Sequence, residues 1–221
     1  MTDQVLLDND VSLKVACYLL VEQMLSITTV NGFPPAMLGV GKYVVRSKIE
    51  RGDKIVDREA ALAAFELLAA NIMWLEPTEK EVAFAANLET AAMRNGLELD
   101  GGESQLLAIL IQRACMLLIT GDKRAIAALS VVAADIAGGK LYCMEQLMTR
   151  LVQVFTPETV RPRVCAEPSV DRAITASFGC SQPSAEVDDI LAGLTSYIAH
   201  LESSAPAMLL HTNGLPPGDI Y

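Results

Sequence analysis

The hydrophobic positions of this chain form short apolar runs that alternate with longer stretches of helical spacing. Short runs bounded by polar or glycine-rich residues are typical of buried strands, whereas apolar residues three or four apart are typical of amphipathic helices. Their alternation predicts an α/β fold, in which a parallel sheet is flanked by helices. The predicted strands are residues 5–7, 36–40, 115–120 and 141–143.

Helices are predicted in the segments between these strands. Two of them open with a capping box, in which a side chain at the helix start and a glutamate three residues later each accept a backbone N–H. The pairs are Thr78 with Glu81 and Asp100 with Glu103. The predicted helices cover residues 11–27, 42–50, 58–71, 78–95, 104–114, 123–138 and 145–155.

The pattern changes towards the C-terminus, which divides the chain into two parts. Residues 1–155 are predicted to form the α/β domain, and residues 156–221 a helical C-terminal extension with a tail. The prolines and charges of residues 156–163 are typical of a linker. Within the extension, helices are predicted over residues 169–178 and 185–203.

The second of these helices carries an apolar stripe that must be buried against something. The stripe could cover the flank of the domain or pair with a second copy of the chain. Because soluble monomers rarely expose such a patch, we expect a homodimer to which this helix contributes. The stripe consists of Val187, Ile190, Leu191, Leu194, Ile198 and Leu201.

Composition places the chain among globular proteins. Its 221 residues are 52% hydrophobic and 20% charged, which is far from the balance of a disordered chain. The N-terminus has no signal-peptide pattern, and no apolar run is long enough to span a membrane, so we expect a cytoplasmic protein without membrane contact. The cysteines are odd in number and widely spaced, which predicts buried free thiols in a reducing compartment. They are Cys17, Cys115, Cys143, Cys165 and Cys180.

The formal net charge of -10 limits the ways in which the chain could bind nucleic acid. Broad binding to a phosphate backbone needs a basic face, so any basic patch here must be local. The best candidate lies between residues 42 and 54, where Lys42, Arg46 and Lys48 are predicted to bind substrate. The alternative interpretation of this segment is a solvated helix face.

Acidic residues follow the predicted strands at the points where parallel sheets bind ligands. Asp8 and Asp10 come directly after the first strand, and Asp122 follows the strand that ends at residue 120. Asp100 and Glu103 bracket a glycine pair at a helix start. Ligands of open α/β sheets bind at the carboxyl ends of the strands, and carboxylate oxygens are the ligands that hard divalent cations prefer. These acids therefore predict a metal site.

Three motifs carry a resemblance to a known family. The segments VLLDNDV, GGESQLLAIL and LLITGDKRAIAAL, in this order and spacing, resemble the PIN domain family of metal-dependent nucleases, which includes the toxin ribonucleases of toxin–antitoxin pairs. The resemblance covers about residues 4–145. It implies a parallel sheet flanked by helices, an acidic site for Mg²⁺ or Mn²⁺, and hydrolysis of phosphodiester bonds in nucleic acid, with single-stranded RNA as the expected substrate. A protein inhibitor is a further implied partner.

Carried over residue by residue, the resemblance assigns Asp8, Glu103 and Asp122 as catalytic residues and metal ligands. Asp10 and Asp100 lie near them in sequence and are expected to serve as additional or alternative metal ligands. Divalent cations held by such carboxylates would supply a nucleophilic water and stabilise charge on the leaving oxygen. Without a cation, the clustered carboxylates would repel one another.

The chain departs from the family pattern at one position. The family usually supplies another acid at the start of the helix after the second strand, and no carboxylate occurs there. Glu50, Glu59 or Glu66 could replace it, although the spacing selects none of them. Asn9 and Thr120 could add amide and hydroxyl contacts to the site.

Two other functions fit parts of the sequence. A PIN-like domain that has lost activity and serves as a binding module would explain the missing acid and the negative charge. Alternatively, Asp8 and Asp10 resemble the D-x-D opening of haloacid-dehalogenase-like phosphatases, with Asp8 as the nucleophile. The segment after Asp122 lacks the second acid that such phosphatases normally carry.

Overall fold

The protein is built around a five-stranded, all-parallel sheet with strand order β3-β2-β1-β4-β5. The computed structural model describes residues 2–211 and residue 215, so residues 212–214 and 216–221 of the predicted tail lie outside the described residues. The α/β fold predicted from sequence is confirmed. The strands are β1 (Val5–Leu7), β2 (Ala36–Leu38), β3 (Met73–Leu75), β4 (Leu117–Thr120) and β5 (Leu141–Cys143).

Helices connect successive strands and cover both faces of the sheet. None of those in the described part of the chain is long and apolar enough to cross a membrane. They are α1 (Asn9–Cys17), α2 (Val21–Thr28), α3 (Gly41–Arg51), α4 (Arg58–Ala70), α5 (Glu79–Arg94), α6 (Gly101–Gln112), α7 (Lys123–Val132), α8 (Ala134–Ala137), α9 (Met144–Phe155), α10 (Pro157–Ala166), α11 (Arg172–Ser177) and α12 (Val187–Ser204).

Side chains of the central strands alternate between two hydrophobic layers. Leu7 and Ile119 face the layer formed by α1 to α4 and by α9, α10 and α11. Leu6 and Leu118 face the opposite layer, which contains α5 to α8. Strands buried on both faces are typical of parallel sheets, and they explain why these strands read as continuous apolar runs in the sequence.

The strand order reverses at the centre of the sheet. The chain runs outward from β1 to β2 and β3, then crosses to the other side of β1 to form β4 and β5. Leu6 pairs with Ala36 on one side and with Leu118 on the other. Such a switch point leaves a crevice at the carboxyl ends of the two central strands, and in this chain they are β1 and β4.

The single helix predicted over residues 11–27 is in fact two helices. The break is at Leu19, whose φ of 53° places it in the left-handed region. Its neighbours Tyr18 and Leu20 are both fully buried, so the turn lets the chain change direction while both enter the core. The apolar spacing continues across the break, which is why periodicity alone did not reveal it.

The linker predicted over residues 156–163 is wrong, because this segment belongs to helix α10. Pro157 occupies the first turn, where the missing N–H costs nothing. Val160 and Val164, one helical turn apart, are completely buried in the core of the domain. Their burial outweighs the helix-breaking tendency of Pro162, so α10 continues the domain instead of leaving it.

Four residues of the apolar stripe of α12 are buried within the chain, whereas Leu191 is partly buried and Val187 is 40% exposed. Ile190 and Leu194 belong to one hydrophobic layer, whereas Ile198 and Leu201 belong to the other. The expectation that a dimer is needed to cover these four residues is wrong, because the chain itself covers them. A homodimer stays a prediction, but α12 no longer supports it.

The prediction that all five cysteines are free thiols is wrong for two of them. Cys165 in α10 and Cys180, just after α11, form a disulfide. Cys17, Cys115 and Cys143 are free and buried, as predicted. The disulfide closes a loop that contains all of α11, and it removes part of the argument for a reducing compartment.

The segment after α12 runs along the outer side of β5. The N–H of Leu141 donates to the carbonyl of Met208 at 3.2 Å, and the N–H of Leu210 donates to the carbonyl of Leu141 at 2.7 Å. Gln146 adds a hydrogen bond from Nε2 to the Leu210 carbonyl at 2.7 Å. The segment from Met208 to Leu210 therefore covers the outer edge of the sheet at the start of β5.

The burial of α12 can be tested by truncating its stripe. Leu194→Ala is expected to lower the free energy of unfolding by about 2–4 kcal/mol, because it leaves a cavity in the core. Leu67→Ala is the matched control, since Leu67 on α4 is 41% exposed, and it should cost less than about 1 kcal/mol. Urea unfolding and light scattering would measure both variants. Unchanged stability together with a dissociated dimer would contradict the intrachain packing.

Candidate functional site

A polar cleft of about 520 Å³ lies at the carboxyl ends of β1 and β4, where the strand order reverses. The structure brings all of the acids predicted as site residues into its lining. Their side chains come from the ends of both central strands and from the starts of α1, α6 and α7. The acidic lining residues are Asp8, Asp10, Asp100, Glu103 and Asp122.

Asp8 is almost completely buried, and its carboxylate accepts three hydrogen bonds. Its Oδ1 accepts the N–H of Val11 at 2.7 Å, which caps α1. Its Oδ2 accepts the hydroxyl of Thr120 at 2.5 Å and the N–H of Gly121 at 3.0 Å. Burial, followed by the negative charge of Asp10, raises the pKa of Asp8 to about 6 although these hydrogen bonds act in the opposite direction. The fold thus buries a carboxylate at an electrostatic cost.

Glu103 is held at the start of α6 by the predicted capping box. Its Oε2 accepts the N–H of Asp100 at 3.1 Å, while Asp100 accepts the N–H of Glu103 at 2.9 Å. Burial raises the pKa of Glu103 to about 8, and the charges of Asp100, Asp122 and Asp8 add to the shift. No described hydrogen bond or ion pair occupies Oε1 of Glu103. This oxygen is available to a cation or to water.

Asp122 caps α7 and is the most exposed of the three residues assigned as catalytic. Its Oδ1 accepts the N–H groups of Arg124 at 2.8 Å and Ala125 at 3.2 Å. Burial would raise the pKa of Asp122, but the hydrogen bonds and charge of Arg124 hold it below its usual value. The Arg124 side chain, which is 75% exposed, lies 3.3 Å from Oδ2. A solvated partner of this kind is readily displaced.

Basic side chains share the cleft with the acids. Lys123 forms an ion pair with buried Glu145 at 2.6 Å and lies 4.8 Å from the ring centroid of Tyr197 on α12. Lys48 also lines the cleft, and no carboxylate in the described residues lies within ion-pair distance of it. Lys48 is therefore the basic lining residue most available to an incoming anion.

Lys14 on α1 connects the cleft with the C-terminal extension. Its Nζ lies 2.6 Å from Asp10 Oδ2 and 2.7 Å from Asp171 Oδ2. Burial alone would lower the pKa of Lys14, but the two carboxylates raise it above its usual value. Asp171 in turn caps α11 by accepting the N–H groups of Ala173 and Ile174. The extension thus places a charged group beside the cleft.

The predicted basic residues divide into two groups. Lys48 lines the cleft, whereas Lys42 and Arg46 are not part of its lining. Arg46 instead pairs with Glu66 and Glu50 on the outer side of α3. Because both glutamates are engaged there, neither replaces the acid that the sequence lacks. Glu59 is likewise outside the cleft lining.

A neighbouring side chain lies against the start of α3, where the sequence has no carboxylate. Helix α3 begins at Gly41, and a Cβ built on this glycine would lie 2.6 Å from Asn9 Oδ1. Asn9 also lines the cleft. Its amide oxygen therefore fills the space in front of α3, and it can offer a neutral oxygen to the site.

The donor set of the cleft suits a hard divalent cation. Its acceptors are carboxylate and amide oxygens, which are the ligands of Mg²⁺ and Mn²⁺. Among residues 2–211 and 215, no three His, Cys, Asp or Glu side chains are already arranged as a metal site. Glu103 and Asp122, which are partly exposed, would therefore have to turn towards Asp8 to bind the ion.

Sequence reasoning missed Lys14, Lys123 and Glu145 as residues of this region. The pairing of Lys14 with Asp10 had a local signal, because oppositely charged residues four apart on a helix are neighbours. The pairing of Lys123 with Glu145 had none, since the two residues meet only when β4 and β5 are paired.

The chain matches no protein-family model, no curated protein and no solved structure. Its class is therefore defined by geometry alone: a doubly wound α/β protein with an acidic cleft at the switch point of its sheet.

Because folding raises the pKa of Glu103, we expect the free energy of unfolding to depend on pH. A carboxyl whose pKa rises from 4.5 to about 8 on folding favours the folded state while it is protonated. That contribution is complete below about pH 4.5 and is lost as the pH rises through about 8. Glu103→Gln stays neutral and should therefore stabilise the metal-free protein at about pH 8 and much less at about pH 4.5.

Urea unfolding in EDTA at the two pH values would measure this difference. Glu22→Gln is the matched control, because Glu22 lies exposed in the first turn of α2. It should show no comparable dependence on pH. Equal effects of Glu103→Gln at both pH values would contradict the burial of a charged carboxyl in the cleft.

Proposed function

We propose that this chain is a metal-dependent nuclease that hydrolyses phosphodiester bonds, with single-stranded RNA as its substrate. The observation that carries the proposal is the position of Glu103. Its carboxyl lacks a described partner at Oε1, and its pKa is raised first by burial and then by the charges of Asp100, Asp122 and Asp8. Carboxylates clustered at the switch point of a parallel sheet repel one another, and a bound cation would offset this repulsion.

Asp8, Glu103 and Asp122 would hold Mg²⁺ or Mn²⁺, with Asp100 close to Glu103. When bound, the cation supplies an activated water and stabilises charge on the leaving oxygen. Thr120 and Gly121 fix the orientation of Asp8, so this carboxylate needs no reorganisation. Glu103 would bind the cation through Oε1, because capping occupies only Oε2.

Basic groups of the cleft suit the phosphates of a nucleic acid. Lys48 lies at one side, while Lys123 and Arg124 lie next to Asp122. The net charge of -10 confines attraction for polyanions to such local positions. A cleft of about 520 Å³ is comparable to pockets that bury a single small ligand, which suits a single strand with unstacked nucleotides better than a duplex.

An inactive binding module is the second candidate function. It is favoured by the start of α3, where no carboxylate occurs and Asn9 Oδ1 would lie 2.6 Å from a Cβ on Gly41. The phosphatase alternative is less favoured, because the segment after Asp122 lacks the second acid that such phosphatases normally carry. A protein inhibitor is a further proposal that rests on the resemblance and not on the cleft, and a homodimer stays a prediction that the cleft does not test.

Cleavage of a fluorescent single-stranded RNA tests the proposed function. The wild type should cleave it with Mg²⁺ or Mn²⁺ and not with EDTA, and millimolar metal should raise the unfolding temperature. Glu103→Gln should lower the rate by more than about 100-fold, because it removes a metal ligand. Glu22→Gln should retain the wild-type rate. Metal binding without cleavage would favour the binding module, whereas no thermal shift would count against the metal site itself.

Lys48 is expected to contact the substrate backbone. Lys48→Gln should weaken RNA binding and reduce the salt dependence of the logarithm of the binding constant by about 0.7. Lys140→Gln is the control, because Lys140 precedes β5 at the opposite edge of the sheet. Fluorescence anisotropy across a salt series, with Ca²⁺ replacing Mg²⁺ to prevent cleavage, would measure both slopes. Identical slopes for the two variants would assign Lys48 to the solvated helix face.

A further inference from the structure

Lys14 is the most enclosed basic side chain of the cleft. Its side chain is only 12% exposed, and its Nζ contacts carboxylates from two distant parts of the chain. Asp10 belongs to the first turn of α1, and Asp171 caps α11 in the extension. Two carboxylates within 2.7 Å of Lys14 Nζ strongly favour a positive charge at this position.

The backbone beside this ion pair leaves room for it. A Cβ built on Gly121 would overlap Asp10 Oδ2 and lie 3.3 Å from Lys14 Nζ. Gly121 also donates its N–H to Asp8 and directly precedes Asp122. The ammonium group is therefore seated against the same strand end that carries the proposed metal ligands, and not on a remote surface.

An ammonium in this position satisfies Asp10 by charge and by hydrogen bonding. The Asp10 oxygen that it contacts faces Gly121, and a divalent cation at the same place would have to displace Lys14 from both carboxylates. Lys14 has three N–H donors, of which Asp10 and Asp171 use two. Because Lys14 also lines the cleft, the third is available to a phosphate oxygen of a substrate.

We propose that Lys14 is a built-in cation of the cleft, which occupies the position of a second divalent cation and removes Asp10 from the set of metal ligands. The site then takes a single divalent cation, held by Asp8, Glu103 and Asp122. Asp171 is the positioning residue that keeps Lys14 beside Asp10. The count of divalent cations in the wild type rests on the proposed function, whereas the occupancy by Lys14 does not.

The sequence-based expectation that Asp10 binds metal is replaced by this proposal. It also gives the C-terminal extension a role at the site, because Asp171 caps α11 within the loop that the Cys165–Cys180 disulfide closes. Loss of the extension should therefore disturb Lys14 even though no residue of α11 lines the cleft.

Mn²⁺ binding to the full chain tests the proposal without any measurement of activity. Electron paramagnetic resonance of free Mn²⁺ gives the number of ions bound per chain. Lys14→Gln should bind one more Mn²⁺ than the wild type, because Asp10 and Asp171 are left without their cation. Lys14→Arg keeps the charge and is the matched control, with no additional ion expected.

The proposal about Lys14 is tested by the difference between Lys14→Gln and the wild type in the number of Mn²⁺ ions bound per chain. The proposed function is tested by the number of ions that the wild type binds. A wild type that binds no Mn²⁺ contradicts the metal site, yet a gain of one ion in Lys14→Gln still supports the role of Lys14. No gain overturns it. If Lys14→Gln folds only with millimolar Mn²⁺, the divalent ion replaces the ammonium as proposed. If it fails to fold with Mn²⁺ while Lys14→Arg folds, the proposal is overturned.

Asp10→Asn supplies an independent measurement. Asp10 is not a metal ligand in this proposal, so Asp10→Asn should leave the Mn²⁺ affinity of the wild-type site within about twofold. Asp122→Asn, which removes a proposed ligand, should lower it by more than about tenfold. A loss of affinity in Asp10→Asn as large as that in Asp122→Asn would show that Asp10 binds the metal and would overturn the proposal.

Discussion

The hydrogen bonds of the Asp8 carboxylate link the ends of the two central strands, which are paired through their backbones. One oxygen caps α1, while the other accepts from Thr120 and Gly121 at the end of β4. These contacts join the elements on either side of the switch point, and they do so with a group whose charge is costly to bury. Structure and site therefore depend on the same side chain, since a cation that relieves its charge would also stabilise the junction of β1 and β4.

Local sequence signals predicted the parts of the fold that depend on neighbouring residues. Apolar runs revealed β1 and β4, because both faces of these strands are buried. Strand β3 was missed, since it has three residues and lies at the edge of the sheet with Met73 exposed. The turn at Leu19 and the helix through Pro162 depend on core packing between distant segments, which no local pattern reports.

The same distinction applies to the cleft. Asp8 and Asp122 could be predicted as partners because each follows a strand end, and parallel pairing of β1 with β4 brings such ends together. Glu103 could be placed by its capping box with Asp100. Asp171 could not, because its contact with Lys14 requires α11 to fold back onto α1. Acids that follow strand ends can thus be recognised in the sequence. The basic side chains that pair with acids, such as Lys14, can be identified only in the folded structure.

The segment after α12 has a consequence for association between chains. An open sheet edge offers unpaired backbone groups to any other strand, and proteins commonly protect such edges. Here the chain from Met208 to Leu210 hydrogen-bonds to Leu141 and covers the start of β5. The opposite edge, β3, is only three residues long and offers little to pair with. The segment from Met208 to Leu210 therefore protects the β5 edge from pairing with another chain, and a proteolytic cut that released this segment would expose the backbone groups of Leu141 to such pairing.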